Sequence, residues 1–385
     1  MVRKHHITAW VLFLFCTLFV ECKENQSADI SQPEASKSSI TYAQGFTVQK
    51  LEDYTVLEVT QPWVGANTHY KYALVPKEKL AAMTFPKGEY DAIVGTPVEK
   101  IVVTSTTHIA AIEALGELKT LVGFPDTDYI SSPAGRKRVD EGQIKDLGMN
   151  EVINTEMVLV LNPELIIGFS INEDNNAYDV IKRAGIPVVY NGDWVEQTPL
   201  GKAEWIKFFA PFFQKEAKAD SIFKSIESSY LQAKDLAKKA TQKPTVITGG
   251  LYKDVWYVAG GKSWMAQFLE DANADYLWAG GPETGSIGLS LESVLEKGQQ
   301  ADFWFNPSSH TSYAELESVN AHHKEFAAFS NKKIYSNAIE KGAKGGLLFY
   351  EQAPQRPDIV LQDFIAILHP ELLPNHQLRF IKPLE

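Results

Sequence analysis

The chain has 385 residues and two cysteines, Cys16 and Cys22, so no cysteine lies beyond residue 22. A body without cysteine can hold no disulfide, no thiolate zinc site and no thiol nucleophile. Arginine is scarce, and no basic stripe interrupts the acidic balance of −11. The electrostatic footprint of a nucleic-acid partner is therefore missing, while acidity alone identifies no ligand. No Gly-x-Ser-x-Gly elbow, phosphate-binding glycine loop or paired-histidine motif occurs. Gly260-Gly261-Lys262-Ser263 has the end of a phosphate loop, but Trp256 stands where its first glycine belongs. His322-His323 sits on a polar stretch beside Lys324, and no compact His/Asp/Glu set reads as a metal site.

What is present begins with a leader. Arg3, Lys4, His5 and His6 make a basic start, and residues 7–20 are an almost unbroken apolar run. The run is shorter than the ~20 residues of a spanning helix, so it reads as a signal-peptide core. Cys22 follows it, as a lipidated cysteine follows a bacterial lipoprotein signal. Glu21 stands where a small residue is usual, and Phe19 where Leu or Val is usual. Residues 1–22 are thus expected to export the chain and present Cys22 for lipidation. Residues 23–40 are mostly Lys, Glu, Gln, Ser, Asn, Asp, Pro and Ala, few of which could enter a core, and are expected to be a flexible tether.

Residues 41–95 read as a β-rich extension. The stretches 54–60 and 70–76 are β-branched and partly alternating, on either side of the turn-prone Gly65-Ala66-Asn67. From residue 96 the pattern becomes strand–loop–helix. Lys100-Ile101-Val102-Val103-Thr104 reads as a buried strand, Ser105-Thr106-Thr107-His108 as its loop, and residues 109–115 as a helix stopped by Gly116. Further strands are expected at 121–124, 165–169 and 188–190, with a helix at 178–184. Residues 201–240 carry one long amphipathic pattern that Pro211 breaks or kinks. Strands at 244–248, 303–305 and 333–335 then alternate with helices at 263–271 and 358–368. The expected fold is α/β: two lobes, 96–200 and 241–385, with mainly parallel sheets, joined by a helix over 201–240.

Three stretches give this layout a resemblance to a known family. The first runs from Lys100 to His108, then through Leu115-Gly116 to Leu121-Val122-Gly123. The second is Glu156 followed by Leu161-Asn162-Pro163-Glu164-Leu165-Ile166-Ile167. The third is Leu289-Ser290-Leu291-Glu292, then Leu295, then Ala301-Asp302-Phe303-Trp304. Over residues 98–372 the chain resembles the periplasmic binding proteins whose two lobes are joined by a rigid backbone helix, the receptors for iron siderophores, heme and vitamin B12. The resemblance implies a non-enzymatic, exported receptor that hands a metal chelate or corrinoid to an ABC permease dimer in the inner membrane. It implies no resident cofactor. It also implies that Glu156 and Glu292, one per lobe, pair with permease arginines. Each follows an N-cap residue by two, Asn154 or Ser290, where the helix dipole by itself favours a carboxylate. The 41–95 extension lies outside the family core.

Ligands of parallel α/β lobes meet the loops at the carboxyl ends of strands. That rule selects Thr106, Thr107, His108, Asp126, Tyr129, Phe169, Ser170 and Trp194 in the first lobe. In the second it selects Tyr252, Trp256, Ser309 and His310. Trp264 and Ser286 join them through the resemblance. For each tryptophan core packing competes with a place in an apolar pocket, and for each histidine solvation or capping competes with ligation. A chelatase-like metal or tetrapyrrole enzyme on a similar fold and a surface scaffold are the alternative functions.

Overall fold

The computed structural model describes Ser36–Lys37 and residues 40–385. The leader, Cys22 and most of the tether lie outside the described residues. Among those described, no helix is long and apolar enough to cross a membrane.

The extension is a five-stranded sheet of β1 (Ser36–Lys37), β2 (Phe46–Lys50), β3 (Thr55–Val59), β4 (Tyr70–Pro76) and β5 (Ala92–Thr96). The strands lie in sequence order. All pair antiparallel except β4 with β5, which are parallel. Its inner face, including Phe46, Leu57 and Tyr72, forms one continuous core with the first lobe. Tyr72 reaches the edge of that lobe, where its hydroxyl accepts the Tyr190 N–H at 3.0 Å.

The first lobe contains β6 (Ile101–Val103), β7 (Leu121–Phe124), β8 (Lys145–Asp146), β9 (Leu165–Gly168) and β10 (Val188–Tyr190). They form an all-parallel sheet in the order β10-β9-β6-β7-β8. Every residue of β6, β9 and β10 is buried. Layers cover both faces, so these strands read as continuous apolar runs and not as alternating ones. The helix after β6 spans Thr106–Leu115. It begins within the segment expected to be a loop, which carries Thr106, Thr107 and His108 into its first turn.

The second lobe contains β11 (Thr245–Thr248), β12 (Gly250–Tyr252), β13 (Val255–Ala259), β14 (Asp275–Tyr276), β15 (Ser286–Leu289), β16 (Phe303–Phe305), β17 (Ile334–Ser336) and β18 (Lys382–Pro383). One sheet has the order β14-β11-β16-β17-β18 and is parallel except at β18. A second, antiparallel sheet has the order β12-β13-β15.

The connection is not one helix over 201–240. Short helices at Pro199–Glu204 and Ile206–Phe209 lead into a 3₁₀ turn at Ala210–Phe213 that contains Pro211. Gln214, at φ 55°, ends the turn in the left-handed region. A 22-residue helix, Glu216–Ala237, then follows, about 33 Å long at ~1.5 Å per residue. Its buried side recurs at Ala219, Phe223, Ile226, Tyr230, Ala233 and Ala237, a spacing of three and four that marks one helical face. Phe223 and Ile226 enter the core of the first lobe, and Tyr230, Ala233 and Ala237 that of the second. One rigid rod is thus seated in both lobes.

Candidate functional site

Each lobe carries a pocket at the carboxyl ends of its parallel strands. The first, about 500 Å³, is bounded by Thr104–Thr106 after β6, by Phe124 at the end of β7 and Pro125, Asp126 and Tyr129 beyond it, and by Phe169 after β9, with Met149 and Asn150 beside them. The second, about 410 Å³, includes Thr248, Tyr257, Trp264, Ser286, Asn306, Ser308, Asn337, Phe349 and Tyr350. Among the described residues that form the two walls, Asp126 alone carries a charged side chain.

The same hydrogen-bonded device holds both floors. In the first lobe the Thr104 hydroxyl accepts the Phe169 N–H at 2.8 Å and lies 3.2 Å from the Tyr178 hydroxyl, which donates to the Phe169 carbonyl at 3.0 Å. In the second the Thr248 hydroxyl accepts the Ala259 N–H at 3.1 Å and lies 3.1 Å from the Tyr276 hydroxyl, which donates to the Ala259 carbonyl. Burial pushes both phenols well above the usual tyrosine range, so both remain donors at any ordinary pH. The backbone under each pocket is therefore fixed by side chains whose own polar groups are satisfied.

The structure brings Thr106, Asp126, Tyr129 and Phe169 together in one pocket, and Trp264 and Ser286 in the other. It places the remaining expected ligand contacts elsewhere. His108 is buried in its helix, with its ring 5.5 Å from that of Phe209. Trp256 is fully buried between Trp304 and Phe326, and its indole N–H donates to the Thr248 carbonyl at 3.1 Å. Both are core residues. The Thr107 hydroxyl pairs with that of Ser105 at 2.9 Å, and buried Ser170 donates to the Asn172 carbonyl at 2.6 Å. Trp194 stands behind Phe169, with ring centroids 5.5 Å apart. Tyr252 is exposed under Lys253, Ser309 is exposed beyond Ser308, and His310 lies 4.0 Å from Glu315. Sequence reasoning missed Met149, Tyr257, Asn306, Asn337, Phe349 and Tyr350. Asn306 and Asn337 directly follow β16 and β17, where the strand-end rule points, and Tyr257 alternates with Trp256 along β13.

Glu156 and Glu292 are exposed, each in the first turn of a short helix. Asn154 caps one by accepting the Met157 N–H, and Ser290 caps the other by accepting the Ser293 N–H. The Glu292 carboxyl is held below its usual range by its own backbone N–H and the Ser290 hydroxyl. Among the described residues no three His, Cys, Asp or Glu side chains converge to hold a metal ion.

A family model described as periplasmic binding protein matches residues 101–337, more than half of the chain. The uncharacterized lipoprotein MJ0878 of Methanocaldococcus jannaschii is 26% identical over 79% of this chain and 71% of its own length. The uncharacterized lipoprotein MJ0872 of the same organism is 24% identical over 91% of this chain and 87% of its own. Among solved structures, a periplasmic heme-binding protein of Pseudomonas aeruginosa superposes with TM-score 0.56 at 18% identity, covering 75% of this chain and 98% of its own. A possible iron-binding, periplasmic solute-binding protein of Staphylococcus epidermidis gives TM-score 0.55 at 19% identity, covering 71% and 100%. At these identities the solved structures establish the shared fold.

Proposed function

The chain belongs to the periplasmic binding protein family, and we propose that it is the extracytoplasmic receptor of an ABC importer, capturing an iron complex or corrinoid for delivery to a membrane permease. The observation that carries this reading is the pair of pockets at the strand ends of the two lobes, about 500 and 410 Å³. Ring faces at Tyr129, Phe169, Tyr257, Trp264 and Tyr350 offer area, and hydroxyl and amide groups offer orientation, as in a preformed small-molecule site. A highly anionic chelate would meet no lysine or arginine in either wall. A corrinoid or a less charged iron complex matches these weakly charged linings better. The neighbours described as iron- and heme-binding support the cargo class, and the lipoprotein names of the relatives support an anchor at Cys22.

The test is the absorption spectrum of any small molecule that co-purifies, followed by tryptophan-fluorescence titration with cyanocobalamin, heme and ferric hydroxamates. One class should quench saturably, and Trp264→Ala should weaken its binding on the order of tenfold or more, the scale of one buried aromatic anchor. Binding of none of these probes removes the cargo assignment and leaves the family standing. Glu156→Ala combined with Glu292→Ala should spare binding and impair uptake if the two carboxylates dock the permease. Unchanged uptake would sink that role. Cys22→Ser should move the chain from the membrane fraction to the soluble extract, and unchanged fractionation would refute the anchor.

A further inference from the structure

The two lobes meet at a second place besides the long helix. Residues 341–352 of the second lobe lie against Tyr129–Ser132 of the first. Glu351, 1% exposed on the short helix Leu348–Gln352, accepts the Ser131 N–H at 2.5 Å and the Ser132 N–H at 2.8 Å. The approach is close enough to require glycine. A Cβ at Gly346 would fall 2.5 Å from the Tyr129 carbonyl oxygen, and one at Gly342 would fall 2.8 Å from the Ser131 Cα. The contact adjoins both pockets, since Tyr129 lines the first and Phe349 and Tyr350 line the second.

We propose that Glu351 is a positioning residue, a latch that holds the lobes together beside the cleft and lets go when it loses its proton. The proposal uses the two-lobed family fold and is independent of which ligand the cleft takes. Glu351 forms no ion pair among the described residues. From the helix Thr106–Leu115, packed along Leu348–Gln352, Glu113 opposes its ionisation. The cations of the neighbouring elements have other partners. Arg136 binds Asp140 and the Thr127 carbonyl, Arg379 donates to Gln352, and Arg356 pairs with Asp358. Lys341 is exposed. Burial first, then Glu113, raises the Glu351 carboxyl to about 7 despite the two N–H donors. An ionised Glu351 therefore gains by reaching water, and the closed contact is the form that holds the proton.

The experiment is hydrogen–deuterium exchange of the ligand-free full chain at the Ser131 and Ser132 amides, corrected for intrinsic rates. Protection should fall on the order of tenfold or more between about pH 5.5 and about pH 8.5. Glu351→Gln should abolish that pH dependence, and Glu351→Ala should remove protection at every pH while amides of β9 and β16 stay protected. Gly346→Ala leaves the carboxylate in place but drives the strap off Tyr129. It should lower protection too, and with the wild-type pH profile it decides the matter if Glu351→Ala does not fold. Unchanged protection in Glu351→Ala or Gly346→Ala, or a wild-type pH profile in Glu351→Gln, would overturn the latch. Ligand titrations are not involved, so failure here leaves the receptor reading untouched.

Discussion

Two buried glutamates do the same geometric job at two places in the molecule, in opposite electrostatic settings. Glu204, fully buried at the connection between the lobes, accepts the N–H groups of Thr41, Tyr42 and Ala43 at 2.7–3.0 Å. Glu351, beside the cleft, accepts those of Ser131 and Ser132. Glu204 has the Lys207 ammonium 2.9 Å away, whereas Glu351 has Glu113 and, among the described residues, no ion-pair partner. A paired buried carboxylate is a permanent clamp, because removing one partner strands the other charge. An unpaired one trades its hydrogen bonds against its desolvation and becomes sensitive to protons. The extension is thus fastened permanently at the hinge side, while the contact beside the cleft is poised to give.

The sharpest way to break this contrast is Glu204→Ala. It takes the Glu204 carboxylate from buried Lys207, whose ammonium also lies 3.6 Å from exposed Asp220 and 4.6 Å from the Phe223 ring, and leaves three backbone N–H groups without this acceptor. The expected loss is about 3–5 kcal/mol of unfolding free energy, read by urea titration. A loss below about 1 kcal/mol would mean that the clamp does not hold the extension. Gly192→Ala should weaken the same junction by another route, because its Cβ would lie 2.0 Å from the Gln61 carbonyl oxygen.

Next in size is the pH dependence that Glu351 confers. Its carboxyl is raised in the folded chain from 4.5 to about 7, so between those values the folded state holds a proton that the unfolded state has released. Its contribution is fully present below about 4.5 and is lost as pH rises through about 7, with a total of at most about 3.5 kcal/mol at ~1.4 kcal/mol per pH unit. The difference between wild type and Glu351→Gln in unfolding free energy, followed across that window, isolates it from the other carboxylates. A difference that does not vary with pH would overturn the proton sensitivity of the Glu351 contact.

The lobes and their order were legible because β6, β9 and β10 are buried on both faces and so stand out as apolar runs. The caps at Asn154 and Ser290 were legible because N-capping is local. The strand-end rule picked Thr106, Asp126, Tyr129 and Phe169, which line one pocket, because it depends only on where strands stop. It failed at β13, where alternation separates Trp256 from Tyr257 but the side facing the core depends on the pairing of Trp256 with Leu289. It failed at His108 because the helix starts two residues before it. The two clamps were invisible for a different reason. Lys202, Glu204 and Lys207 look like the polar side of an amphipathic helix, yet all three are buried. The segment that covers Glu204 lies about 160 residues earlier in the chain, and Ser131 lies 220 residues from Glu351. No local pattern encodes such partners.

The smallest effect tests how the permanent clamp reaches the second lobe. Tyr42, itself one of the residues held by Glu204, packs against the cores of both lobes, and its hydroxyl donates to Glu227 on the long helix at 2.6 Å. That hydrogen bond, ahead of burial, raises the phenol to about 12, so the donor persists across the pH range in which Glu351 titrates. Tyr42→Phe keeps the ring, 5.9 Å from Phe223, and deletes only the hydroxyl. Glu227 is partly exposed and can exchange its lost donor for water, which limits the cost to about 1 kcal/mol, independent of pH between about 5 and about 8. Tyr42→Ala should cost more, by roughly the 3–5 kcal/mol of a truncated aromatic where the ring is well packed. If Phe and Ala cost the same, the grip on the hinge lies in the hydroxyl and Glu227. If Phe costs nothing and Ala much, it lies in the ring wedged between the two cores. If the cost of Tyr42→Phe follows pH through about 7, the two clamps are coupled through the long helix, and the division into a permanent and a proton-sensitive contact fails.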